Sequence, residues 1–140
     1  MRDNDRTSES QAESKFDHIA ALMQAIAAVS ESGETIEFDG ETDCDADRLH
    51  EIATNENPLE VSVRSGWVPP MDVPFRAEEY LILLCTGGPA VRIIGVLNNG
   101  QPDTAVIEHQ DWGTCWTALH LDREKTATLL RYAMLFYFTA

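Results

Sequence analysis

Histidine, aspartate and cysteine crowd one short segment, His109-Gln-Asp111-Trp112-Gly-Thr-Cys115-Trp116-Thr-Ala-Leu-His120. Cys115 beside His109 or His120 would make a thiol–imidazole pair, with Asp111 orienting the ring. The same groups could hold zinc, with a fourth ligand from Cys44, His50 or His18. Their intervals of five and four residues match no recognised zinc pattern. The plainer reading has Trp112 and Trp116 closing one end of the core and Asp111 capping a turn. On that reading the segment holds no catalytic residue, no metal and no cofactor.

Two further patterns fail on spacing. Cys85-Thr-Gly-Gly-Pro-Ala-Val-Arg92 is similar to a cysteine phosphatase loop, but six residues rather than five separate the cysteine from the arginine. Two glycines beside a proline are better explained as a hairpin turn. Calcium loops need a glycine at the sixth position and a bidentate acid at the twelfth. Counted from Asp39 those positions hold Cys44 and His50; counted from Asp43 they hold Arg48 and Thr54.

Charge is the stronger signal. Of a net −14 over 140 residues, −10 lies between Glu31 and Glu60, where eleven acids face Arg48 alone. Glu37, Asp39, Glu41, Asp43, Asp45 and Asp47 fall on every second residue. In an extended chain they would form a row with a repeat of roughly 6.8 Å; a solvated loop would also suit them. A field this localised repels nucleic acid and lipid headgroups and attracts basic protein surfaces. The basic residues are scattered, with no stripe to bind nucleic acid.

The elements that carry these groups follow from hydrophobic spacing. Residues 1–13 are polar and read as a disordered tail. Phe16, Ile19, Ala20, Met23, Ile26 and Ala27, with Leu22 beside them, form the stripe of a helix from Ser14 to Ser30, stopped near Gly33. Asp43 or Asp45 would cap a short helix from Ala46 to Ala53. Strands are expected from Leu59 to Arg64, Glu79 to Cys85, Ala90 to Leu97 and Asp103 to His109, with a hairpin turn at Asn98-Asn99-Gly100. Between the first two, a proline loop carries Trp67 and Phe75, which would either pack onto the sheet or anchor a partner. Asp122 caps a last helix through Phe138, apolar nearly all round. Such a helix is buried on several sides, by its own sheet or by a second copy in a homodimer.

The fold expected is α+β: a four-stranded antiparallel sheet with N-terminal and C-terminal helices packed on it, as a single domain over 14–140. Three cysteines without paired spacing read as reduced thiols. With no apolar leader and no span of about 20 apolar residues, the chain is expected in the cytoplasm, off the membrane.

The run ILLCTGGPAVRI (Ile82 to Ile93), then Gly95, then EHQDWGT (Glu108 to Thr114) with Trp116-Thr117, resembles a family of small acidic proteins carried by bacterial prophages and conjugative elements. In that family DWGT is followed by proline, where Cys115 stands here, which speaks against a catalytic cysteine. The resemblance implies a setting rather than a mechanism: inhibitors of host defence, of the anti-CRISPR or anti-restriction type. The expectation is a non-enzymatic DNA mimic. It would present Glu37, Asp39, Glu41, Asp43, Asp45 and Asp47 to the basic surface of a nucleic-acid-binding effector, with Trp67 and Phe75 as apolar anchors. The alternatives are a small Cys/His-dependent enzyme and a regulatory homodimer.

Overall fold

The computed structural model describes residues 7–71 and 76–138. In chain order it has α1 (Ser8–Ser32), β1 (Ile36–Phe38), β2 (Glu41–Cys44), α2 (Ala46–Glu51), a π-helical turn (Ile52–Glu56), β3 (Glu60–Arg64), β4 (Glu79–Cys85), β5 (Ala90–Asn98), β6 (Gln101–Pro102), β7 (Val106–Gln110), β8 (Thr117–Ala118) and α3 (Arg123–Ala133). The α+β class holds. The main sheet is larger than four strands: β3-β4-β5-β7-β8 pair in that order, all antiparallel, with β6 added on β5. Asn99 and Gly100 both take positive φ, which closes the tight hairpin between β5 and β6.

Alternation along the strands decides what faces the helices. In β4, Tyr80, Ile82 and Leu84 are buried while Leu81, Leu83 and Cys85 are partly open. Val91, Ile93 and Leu97 of β5 and Ile107 of β7 join the buried side. They meet Phe16, Ile19, Leu22 and Val29 of α1 and Leu129 and Tyr132 of α3 in one core. Among the described residues, the opposite face of the sheet carries no helix.

α1 begins at Ser8, six residues before the expected start. Thr7 accepts the Ser10 N–H at 3.1 Å and Ala12 is fully buried, so part of the supposed tail is a packed, capped helix. Residues 1–6 lie outside the described residues. α3 stops at Ala133, short of Phe138. Past it the chain turns back: Phe136 packs edge-on against Tyr132 with centroids 5.3 Å apart, and Phe138 lies 4.8 Å from Tyr80. The apolar run after Ala133 thus partly fills this chain's own core, although Tyr137 and half of Met134 stay exposed.

The π turn positions a hydrogen-bonded tie to α3. The Tyr132 hydroxyl donates to the Ala53 carbonyl at 2.7 Å and accepts from Asn57 Nδ2 at 2.8 Å. Burial pushes its pKa up to about 12, against an ordinary 10.0. A phenol with a raised folded pKa contributes stability in full below the unfolded value and loses it as pH rises through the folded one. Stability is therefore expected to fall between about pH 10 and pH 12. Tyr132→Phe should flatten that loss and lower stability at neutral pH by about 1–2 kcal/mol. Urea unfolding across the pH series measures both effects.

Candidate functional site

The acidic run does not form one extended row. Asp39 and Gly40 both take positive φ, at 54° and 84°, and fold the run into the β1–β2 hairpin. Asp43 is also left-handed, and Asp45 leaves the strand to cap α2, accepting the Arg48 N–H at 2.8 Å. Aspartate tolerates this conformation better than most residues, which is why an alternating sequence could turn so sharply. The hairpin sits on α1: Cys44 is buried, Ile36 and Phe38 are half-buried, and the Phe38 ring packs at a tilt against His18 with centroids 5.6 Å apart.

Arg48 is the hub of this lobe. Its guanidinium grips Glu41 through two bonds, Nε to Oε2 at 2.7 Å and Nη2 to Oε1 at 2.9 Å. It also reaches Glu56 at 2.6 Å and Glu51 at 3.1 Å. The bond to Arg48 holds the Glu41 carboxyl below its ordinary range, and the carboxylates push the arginine up in turn. Glu41 is therefore tied to the scaffold and only half exposed. Glu31, Glu34, Glu37, Asp39, Asp43, Asp45 and Asp47 have no lysine or arginine partner among the described residues, and all seven are exposed. Among the described residues, Asp39 faces His18 Nε2, at 3.8 Å. The lobe presents carboxylates from the end of α1, the hairpin and the start of α2, on a frame locked by one arginine.

Trp67 is fully exposed, with Val68 and Met71 open beside it, so it does not pack on the sheet. Phe75 lies outside the described residues. Trp112 is exposed as well and closes no core. Trp116 instead covers Arg92, whose guanidinium carbon lies 3.9 Å from the ring centroid.

The thiol segment is differently employed. Asp111 and His109 converge on Ser8 at the start of α1, a residue that no motif or spacing singles out. The Ser8 N–H donates to Asp111 Oδ1 at 2.9 Å and its hydroxyl to Oδ2 at 2.8 Å. With that proton committed, Nδ1–H of His109 is the donor to Ser8 Oγ across 2.9 Å. Serine, histidine and aspartate are the types of a hydrolase triad, but there the imidazole stands between the other two and takes the hydroxyl proton. Here serine stands in the middle, bonded to both, and is only 1% exposed. A substrate could not reach it. Cys115 Sγ forms no hydrogen bond among the described residues, while burial pushes the Cys44 and Cys85 thiols up. No group of three or more His, Cys, Asp or Glu among the described residues is arranged to hold a metal ion.

Sheet alternation leaves a second surface, on the side away from the helices. Leu81, Ile94, Val96 and Val106 floor a depression of about 340 Å³. Arg64 pairs with Glu79 at one side of it, and Arg92 pairs with Glu108 at 2.8 Å further along. No helix among the described residues is long and apolar enough to cross a membrane. No family model, curated protein or solved structure matches this chain.

Proposed function

We propose that this chain is a non-enzymatic binding protein whose acidic lobe engages a basic protein surface. The observation that carries the reading is the set of seven exposed carboxylates without a lysine or arginine partner among the described residues, clustered about the hairpin and helix that Arg48 ties together. Glu37, Asp39, Asp43 and Asp47 make the contacts. Asp45 fixes α2, and Glu41 serves the frame. Trp67 offers an apolar anchor of the kind that dominates hot spots.

The partner we infer is a nucleic-acid-handling effector of host defence, inhibited because carboxylates occupy cations directed at phosphates. Charge-assisted bonds to carboxylate and to phosphate share their donors. The defence setting rests on the resemblance to mobile-element proteins alone.

The test is capture by the immobilised chain at low salt, then elution with rising salt. The comparison variant combines Glu37→Lys, Asp47→Lys, Asp39→Asn and Asp43→Asn. Asparagine is chosen where φ is positive, so that the hairpin survives. Association should slow by about 100-fold in the variant, since steering of this kind is worth roughly 10 to 1,000-fold. Duplex DNA should compete for the captured protein if the inhibited surface binds nucleic acid. Capture that withstands both the four substitutions and high salt rejects the acidic-lobe reading; capture indifferent to DNA rejects only the nucleic-acid refinement.

A further inference from the structure

The outer edge of β3 has a composition that matches itself. β3 is the terminal strand of the main sheet, and β4 alone pairs with it among the described residues. Its sequence, Glu60-Val61-Ser62-Val63-Arg64, is a palindrome in shape with opposite charges at its two ends. Register fixes the faces. Ser62 lies opposite Leu81 and Arg64 opposite Glu79, on the open side; Val61 lies opposite Ile82 and Val63 opposite Tyr80, on the helix side.

We propose that two copies of the chain pair antiparallel through β3, with the two-fold axis at Ser62. Reversing the strand about that serine sets Glu60 of each copy directly across from Arg64 of the other. Val61 meets Val63 twice, and Ser62 meets Ser62. Directly opposed side chains in an antiparallel pair stand about 5 Å apart, close enough for both ion pairs. Arg64 then lies between Glu79 of its own strand neighbour and Glu60 of the second copy, and its five N–H donors serve both.

The exposure of the strand fits this occupant. Val61 and Val63 are 40% and 36% exposed, more than the core-facing residues of β4 and β5, and pairing would cover both. Soluble proteins guard such edges with proline, lysine or a bulge. Between Glu60 and Arg64 there is no proline or lysine, and the register with β4 runs without a break. The two charges present would repel a like-charged strand but attract an inverted copy of themselves. A two-fold contact also closes, so pairing stops at two chains. The contact is independent of the acidic lobe and places a homodimer on the sheet edge rather than on the last helix.

Sedimentation at near-physiological salt, where screening acts beyond about 8 Å, should show a concentration-dependent dimer. Glu60→Arg puts arginine against Arg64 of the second copy at both ends and should return the chain to monomer. Arg64→Glu should do the same. An equimolar mixture of the two variants restores both charge pairs and should dimerise while neither does alone. Crosslinking reads the register separately, in a Cys115→Ser background that removes the exposed thiol. Ser62→Cys should form a disulfide-linked dimer on mild oxidation, and Val61→Cys should form little. A chain still monomeric at roughly 1 mM, a concentration at which even a millimolar Kd would leave much of it paired, overturns the proposal. So does a dimer untouched by Glu60→Arg, or crosslinking equal at 61 and 62.

Discussion

Gly95→Ala is expected to lower the unfolding free energy by about 4 kcal/mol, more than most single substitutions. The reason is a crossing built over β5. Gly95 lies opposite Tyr80 in the sheet, on the helix side, and the Tyr80 hydroxyl reaches over it to the Thr104 carbonyl at 2.6 Å. A Cβ at this position would stand 2.1 Å from Thr104 O, 2.5 Å from Tyr80 Cε1 and 2.6 Å from the Tyr80 hydroxyl. The first of these is backbone, so relief cannot come from a rotamer change alone. Overpacking typically costs about 1–3 kcal/mol, and losing the buried phenol bond adds about 1–3 kcal/mol. Displacing Tyr80 would also disturb Phe138, whose ring packs at a tilt against it. Tyr80→Phe removes only the bond, and the two changes should be less than additive because they act through one contact. A melt of Gly95→Ala within about 1 kcal/mol of the parent would show that the strand can shift away from the crossing, and that the close approach is not a constraint.

Periodic elements were legible because local spacing determines them. The helix across Ser14 to Ser30, the strands at Glu79–Cys85 and Ala90–Asn98, the Asn98-Asn99-Gly100 turn and the Asp122 cap appear where their residues predict, although the buried face of α1 runs through Phe16, Ile19, Leu22, Ala25 and Val29 and leaves Ala27 exposed. Errors fell where one pattern supports two geometries. Alternating acids suit an extended row, yet Asp39-Gly40 is also a hairpin signal, and the turn prevailed because it buries Cys44 and half-buries Phe38 against α1. The run Leu129 to Phe138 suits a helix, yet the helix ends at Ala133 and Phe138 beyond it packs against Tyr80 of the sheet. β8 is two residues long, below what periodicity can register.

The acidic lobe shows the same division. That acids cluster was plain from the residue order; that one arginine would organise three of them was open to inference, because Arg48 is the lone cation in the stretch. The row predicted six equivalent carboxylates. The fold instead assigns them different work, with Glu41 bound into the frame, Asp45 capping α2, and Asp39 and Asp43 shaping the hairpin while still exposed. A partner of the kind proposed would therefore meet carboxylates carried on a folded hairpin and helix rather than on one extended row. Ordering entropy is then already spent before binding, which favours affinity per contact.

Asp111→Ala is expected to cost about 2–3 kcal/mol and to loosen the first turn of α1. Nothing local could have revealed this. Ser8 and Asp111 are 103 residues apart, and serine near a helix start is common for reasons that need no distant partner. The carboxylate accepts both the Ser8 N–H and its hydroxyl, and it places negative charge at the positive end of a 25-residue helix. Hydrogen bonds to a charged group are each worth about 1.5–3 kcal/mol. Removing the carboxylate strands a donor pair on a residue that water barely touches, since Ser8 is 1% exposed. Ser8→Ala should cost less, because Asp111 and His109 are only half-buried and recover water as a partner. Amide exchange at Gln11 and Ala12 should quicken in Asp111→Ala while exchange in β4 follows global stability. If Ser8→Ala proved the costlier change, or if the first-turn amides kept their protection without the carboxylate, then the packing of Ala12 and Phe16 would be what holds the start of α1, and the Ser8–Asp111 bonds would be incidental to it.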